Sequence, residues 1–188
     1  MKKQASQTSS STFVAFLRGI NVGGNSIIKM EDLKKLFAKL GFSNLKTILA
    51  SGNVVFDASE KSTDAITALI SAAMEKKMGR KISIMVRALD DLRNMEAAQP
   101  FKAFNPGPKA KLFITFVPDF KKTWNTVKPE VQKGYSIIRI TDGMVVSMVP
   151  EDSPMGSLDL MEAIESRFGK QVTTRTWNTV QKVVKAGV

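Results

Sequence analysis

The sequence predicts an α+β fold built from the same unit twice, and three observations predict it. Short apolar runs and helical stripes alternate in the order β-α-β-β-α-β, and that order occurs a second time downstream. A turn-rich stretch, Asn105-Pro106-Gly107-Pro108, separates the two occurrences. The length, 188 residues, suits two small domains of about 80–90 residues each. The order is that of the ferredoxin-like split unit, so the expectation is two tandem ferredoxin-like plaits with antiparallel sheets plus a C-terminal helix. The expected divisions are a disordered leader over 1–12, a first plait with a linker helix over 13–98, a linker over 99–111, and a second plait with the terminal helix over 112–188.

The elements follow in order. Phe13 to Leu17 is a continuous apolar run ended by Arg18-Gly19, which reads as a buried strand. Met30, Leu33, Leu36, Phe37 and Leu40 recur at helical spacing, and Gly41 stands where a helix closes. Leu45–Ala50 and Val54–Phe56 flank Ser51-Gly52-Asn53 as a hairpin. Ser62 or Thr63 can cap a helix striped by Ile66, Leu69, Ile70, Ala73 and Met74 and closed by Gly79. Ile82–Val86 is a strand, and Leu89, Leu92 and Met95 mark a short helix stopped by Pro100. In the second unit, Leu112–Val117 is a strand and Lys121–Gln132 a weak helix interrupted by Pro129. Ile137–Ile140 and Met144–Val149 form a hairpin around Thr141-Asp142-Gly143. Leu160, Met161, Ile164 and Phe168 stripe a helix, Gln171–Thr173 supplies a last strand, and Trp177–Lys185 a terminal helix that Thr176 can cap. The first strand is apolar at both parities, so both faces of its sheet are expected to be covered.

Composition excludes several chemistries. With no Cys and no His there is no disulfide, no zinc site of nitrogen and sulfur, no cysteine nucleophile and no Ser-His-Asp triad. No apolar run approaches the roughly 18 residues of a membrane span, and the polar N-terminus has no signal-peptide core, so a cytoplasmic protein without a membrane partner is expected. The net charge is +11, spread evenly: 15 basic and 9 acidic residues up to residue 100, 13 and 8 beyond. An even excess describes a solvated surface better than a nucleic-acid footprint, which clusters on one face.

Topology assembles a candidate site. In the first unit the loop Arg18–Asn25, the hairpin Ser51–Asn53 and the segment Gly79-Arg80-Lys81 leave the same end of the sheet. Exposed amides beside arginines suit an anion. The candidate ligand-binding residues there are Arg18, Asn21, Gly23, Gly24, Asn25, Ser51, Gly52 and Asn53; tight turns alone also account for the glycines. Arg175, Trp177 and Asn178 are further candidates for a ligand cleft between the plaits, with packing of Trp177 on the core as the alternative. Gly19-x-x-x-x-Gly24-Asn25-Ser26 imitates a phosphate-binding loop, but Asn25 stands where the lysine that reaches the phosphates belongs, which excludes an NTPase. The strand Ser51–Phe56 lacks the glycine-aromatic pattern of RNA-recognition domains, so Phe13, Phe16 and Phe56 read as core. The adjacent carboxylates Glu31-Asp32, Asp90-Asp91 and Glu151-Asp152 diverge in regular structure and build no metal site.

Five segments together carry a resemblance: Arg18-Gly-Ile-Asn-Val-Gly-Gly24, Met30-Glu31-Asp32-Leu33, Leu40-Gly41-Phe42, Ser51-Gly-Asn-Val-Val-Phe56, and Thr174-Arg175-Thr-Trp177-Asn178-Thr179. They resemble domain of unknown function family 1697, from about Thr12 to the C-terminus. The resemblance implies a bacterial cytosolic protein of ferredoxin-like plaits and no established activity, substrate or cofactor. Members usually carry Lys directly after the Gly-Gly pair, and Asn25 departs from that. The functional expectation is a non-catalytic module that binds a small anionic ligand or nucleotide at the Arg18/Ser51 rim, with no cofactor and no metal. Weakly specific nucleic-acid binding, or an enzyme acting on a phosphorylated substrate, is the alternative.

Overall fold

The computed structural model describes residues 10–21, 27–60, 62–118, 130–141, 143–154 and 156–187. The chain divides into two compact units, with the boundary between Asp90 and Asp91. Each contains an antiparallel sheet, and the described residues include five α-helices. None of these helices is long and apolar enough to cross a membrane.

The first unit runs β1 (Ser11–Leu17), α1 (Met30–Lys39), β2 (Ser43–Ile48), β3 (Asn53–Ala58), α2 (Thr63–Met78), β4 (Ile84–Ala88). Its sheet has the order β2-β3-β1-β4, with every pair antiparallel. Strand residues alternate sides, so Phe13, Ala15 and Leu17 of β1 share a face with Val54 and Phe56 of β3 and with Ile84 and Val86 of β4. That face packs against Leu33 and Phe37 of α1 and Ile66, Ile70 and Met74 of α2. Phe56 is the hub, with ring centroids 4.6 Å from Phe42, 5.4 Å from Phe37 and 6.0 Å from Phe13. Val14 and Phe16 point the other way and are also buried, so both faces of β1 are shielded, as its unbroken apolar run requires. The helix ends follow their signals. Ser62 accepts from Ala65 N–H at 3.3 Å to cap α2, and Gly79, at φ 69°, closes it.

The second unit holds α3 (Leu89–Ala97) from Asp91 onward, a 3₁₀ turn (Lys102–Phe104), β5 (Lys111–Phe116), β6 (Glu130–Val131), β7 (Ser136–Thr141), β8 (Met144–Val149), α4 (Leu158–Phe168), β9 (Thr173–Thr176) and α5 (Trp177–Ala186). The sheet order is β6-β7-β8-β5-β9. Phe113, Val117, Val145 and Val149 meet Leu160, Ile164 and Phe168 of α4 in its core.

Three expectations change. The short helix after β4 groups mostly with the second unit rather than the first, since the boundary falls within its first turn. The helix expected over Lys121–Gln132 does not reach its end: Glu130 and Val131 are a strand paired with Ile137 and Ser136, and 119–129 lie outside the described residues. Glu130 is held there by Arg167 and by the Tyr135 hydroxyl, which donates to it at 3.2 Å. The last strand is Thr173–Thr176 rather than Gln171–Thr173. Its β-branched threonines pair with Phe116 through Phe113 and suit an extended chain better than a helix start.

One close approach and one substitution in the repeat are open to test. A Cβ on Gly52, at φ 78°, would lie 2.6 Å from Ile20 Cδ1 and 3.0 Å from Leu17 Cβ, whereas one on Gly79 would meet nothing within 4 Å. Urea denaturation should show Gly52→Ala losing about 2–4 kcal/mol, for overpacking plus the left-handed backbone, and Gly79→Ala only about 1 kcal/mol. Register places Ser147 opposite Phe113, as Phe56 stands opposite Phe13, and the buried Ser147 hydroxyl has no hydrogen-bond partner among the described residues. Ser147→Ala should therefore raise stability by about 1 kcal/mol in the same assay.

Candidate functional site

The three loops of the first unit do meet at one end of its sheet. Leu17 N–H donates to Gly52 O at 2.8 Å, and Arg18 N–H to Ser83 O at 2.9 Å, so β1 leaves the sheet pinned to the hairpin on one side and to the α2–β4 segment on the other. Asn21 then locks the loop. At φ 57° it occupies the left-handed region that asparagine tolerates, and its Nδ2 donates to Ala50 O at 2.8 Å and Ile28 O at 3.1 Å. Its Oδ1 accepts from Ile28 N–H at 2.8 Å. Arg80 Nη2 donates to Gly19 O at 3.1 Å, which ties the third segment to the first.

The expected ligand residues therefore separate by what they already do. Asn21, Gly52 and Asn53 build the rim: Asn53 is fully buried, and its Nδ2 donates to Ile48 O at 2.8 Å and Ser51 Oγ at 3.1 Å. Arg18 is half-buried, and Ser51, Arg80 and Lys81 are exposed. Gly23, Gly24 and Asn25 lie outside the described residues. Leu49, at φ 60° and 48% exposed, is held in a left-handed conformation unusual for leucine on the same hairpin. Phe13, Phe16 and Phe56 are all buried and present no ring face on which a base could stack.

The second candidate group lies at the other end of the chain. Trp177 packs edge-on against Phe101, centroids 5.5 Å apart, which is the packing role. Asn178 is exposed. Thr176 caps α5: its Oγ1 accepts from Thr179 N–H at 3.4 Å. Arg175 lies on β9 opposite Ile114, and burial lowers its pKa to about 10. Sequence reasoning missed its counterpart. Arg87 stands on β4 opposite Val14, and each arginine donates from Nη1 to the carbonyl of the residue before it, at 2.9 Å. Only strand register makes the match, since Val14 and Ile114 each stand second in the runs Phe13–Leu17 and Phe113–Val117 and each faces one of these arginines.

A family profile described as "Protein of unknown function (DUF1697)" matches residues 11–145, well over half of the chain. The chain belongs to this family. Among curated proteins, none matches it. A solved structure similar to it is that of conserved bacterial protein SP0830 from Streptococcus pneumoniae, at 16% identity and a TM-score of 0.74. The likeness covers 96% of this chain and 100% of that one, and at such identity it speaks for the fold alone. The family match includes both the Arg18–Asn21 segment and the hairpin, so the pinned rim lies within the part of the chain that defines membership. Residues 146–188, with Arg175 and Trp177, lie beyond it.

Two outcomes test these roles. Asn21→Gly keeps the left-handed backbone and deletes three hydrogen bonds; urea denaturation should show a loss of about 2 kcal/mol or more. For Arg175, burial holds the folded pKa at about 10, below its ordinary value, so above that pH the unfolded chain binds more protons and stability rises with pH there. Wild type should gain stability relative to Arg175→Met as pH climbs past about 10, with a constant difference below about pH 9.

Proposed function

We propose that each unit is a ferredoxin-like plait and that the first binds a small, multiply charged anion, a phosphorylated metabolite or nucleotide, at the Arg18/Ser51 rim, in the bacterial cytoplasm. The observation that carries this reading is the charge of the converging loops. Residues 18–21, 48–53 and 79–84 contribute Arg18, Arg80 and Lys81 and no Asp or Glu. The hydrogen bonds from Leu17, Arg18, Asn21 and Arg80 hold these loops in place before any ligand arrives. A preorganised cluster of cations loses little conformational freedom on binding, and Arg offers planar, forked donors to phosphate. Ser51 adds a hydroxyl at the tip of the hairpin. Among the described residues the rim supplies no paired carboxylate and no nucleophile with a base beside it, so the reading is of binding rather than turnover.

Thermal denaturation with inorganic pyrophosphate, against potassium chloride at equal ionic strength, tests it. The wild-type chain should gain stability saturably, reaching about 2.7 kcal/mol at a hundred times the dissociation constant. Arg18→Met and Lys81→Met should fold, and each should weaken the response at least about tenfold. No saturable gain, or an undiminished gain in both variants, would overturn the reading.

A further inference from the structure

The second unit holds a cleft that none of the foregoing roles uses. On α3 and the turn that follows, Asp91, Asn94, Met95 and Ala98 recur at steps of three and four residues and so share one helix face. On the sheet, Arg139 is paired with Val146 and Thr141 with Met144, and residues two apart in a strand point the same way. These four therefore form a square patch on one face of the β7–β8 hairpin. The helix face and the patch, with Pro100, line an open cleft of about 220 Å³. That is the room of about seven liquid waters, below the roughly 300–1,000 Å³ of drug-sized pockets.

The lining separates into an apolar body and two open polar groups. Met95, Pro100, Met144 and Val146 are buried, and methionine adapts to ligands of varied shape. Asn94 and Arg139 are exposed to solvent. Every other arginine is engaged within the chain, through its own hydrogen bonds, ion pairs or further interactions. Arg139 is different: among the described residues its guanidinium meets no partner, and neither does the Asn94 carboxamide. The remaining polar residues of the cleft, Asp91 and Thr141, are both engaged within the chain. Arg139 also interrupts an apolar strand, Ile137-Ile138-Arg139-Ile140, where an aliphatic residue would extend the pattern.

We infer that this cleft binds small aliphatic monocarboxylates, with Arg139 as the partner of the carboxylate, Asn94 as a further donor, and Met95, Met144 and Val146 around the hydrocarbon body. A guanidinium matches the two oxygens of a carboxylate. A single open cation over a largely apolar lining suits one negative charge on an apolar stem. It suits a compact, strongly hydrated dianion poorly, because that would forfeit its water for one arginine. The site is distinct from the rim in residues, in unit and in ligand class, so each stands or falls by itself.

The two methionines supply the readout. With methyl-¹³C methionine in the full chain, 4-methylpentanoate should shift the Met95 and Met144 methyl signals saturably. The uncharged isostere 4-methylpentanamide should bind at least about tenfold more weakly. Arg139→Gln, an exposed change that leaves the fold intact by circular dichroism, should weaken the carboxylate by a similar factor while the methyl signals keep their unbound positions. Shifts confined to other methionines, no saturable shift, or equal affinity for acid and amide would each overturn the inference, as would full affinity in Arg139→Gln.

Discussion

Only a hydrogen atom fits at Gly52. The chain there runs so close to Leu17 and Ile20 that any side chain would collide with them, and the close pass lets Leu17 N–H reach Gly52 O. Everything at that end of the first sheet depends on this seating. It sets the hairpin where Asn21 can reach Ala50 O, it directs Arg18 out of the sheet beside Ser83, and it leaves Arg80 within reach of Gly19 O. The second unit uses the same device, Val117 N–H donating to Gly143 O at 2.9 Å with Gly143 at φ 72°. In both units the first strand ends against the turn between the two strands of the neighbouring hairpin. A backbone bond at a residue without Cβ is the way to bring them together.

From this shared frame the two units diverge in their interiors. The first gathers three phenylalanine rings around Phe56, a dense aromatic centre, and carries its cationic rim outside it. The second puts Ser147 at the position of Phe56, adds β6 at the sheet edge, and has a cleft lined by α3 and the opposite side of β7–β8. The pair Arg87 and Arg175 occupies matching register positions in the two units. Each arginine turns back onto the carbonyl before it, an intrachain bond that keeps a charged group satisfied inside a largely apolar sheet face.

Local signals made most elements legible. Phe13–Leu17 is apolar at both parities and is buried on both faces; Ser62 and Thr176 cap helices where hydroxyls precede periodic stripes; Gly79 and Gly169 close them in positive φ. Thr173–Thr176 was not legible as a strand, because its polarity hides a β-branched stretch that only pairing with β5 stabilises. Val131 failed in the same way, drawn into a ladder with Ser136 that no local pattern announces.

The candidate sites divide along the same line. By itself the sequence determined the order of elements in the first unit, the absence of cysteine and histidine chemistry, and the meeting of three loops, two of them cationic, at one sheet end, since strand direction follows from element order. Tertiary structure alone decided what each side chain there does. Asn21 and Asn53 look like ligand donors in sequence and are bound to backbone carbonyls in the fold, because a buried amide must find partners. The cleft lay wholly on the tertiary side of that line. Asn94 and Arg139 are far apart in the chain, and only the packing of one helix face on one sheet face makes them neighbours.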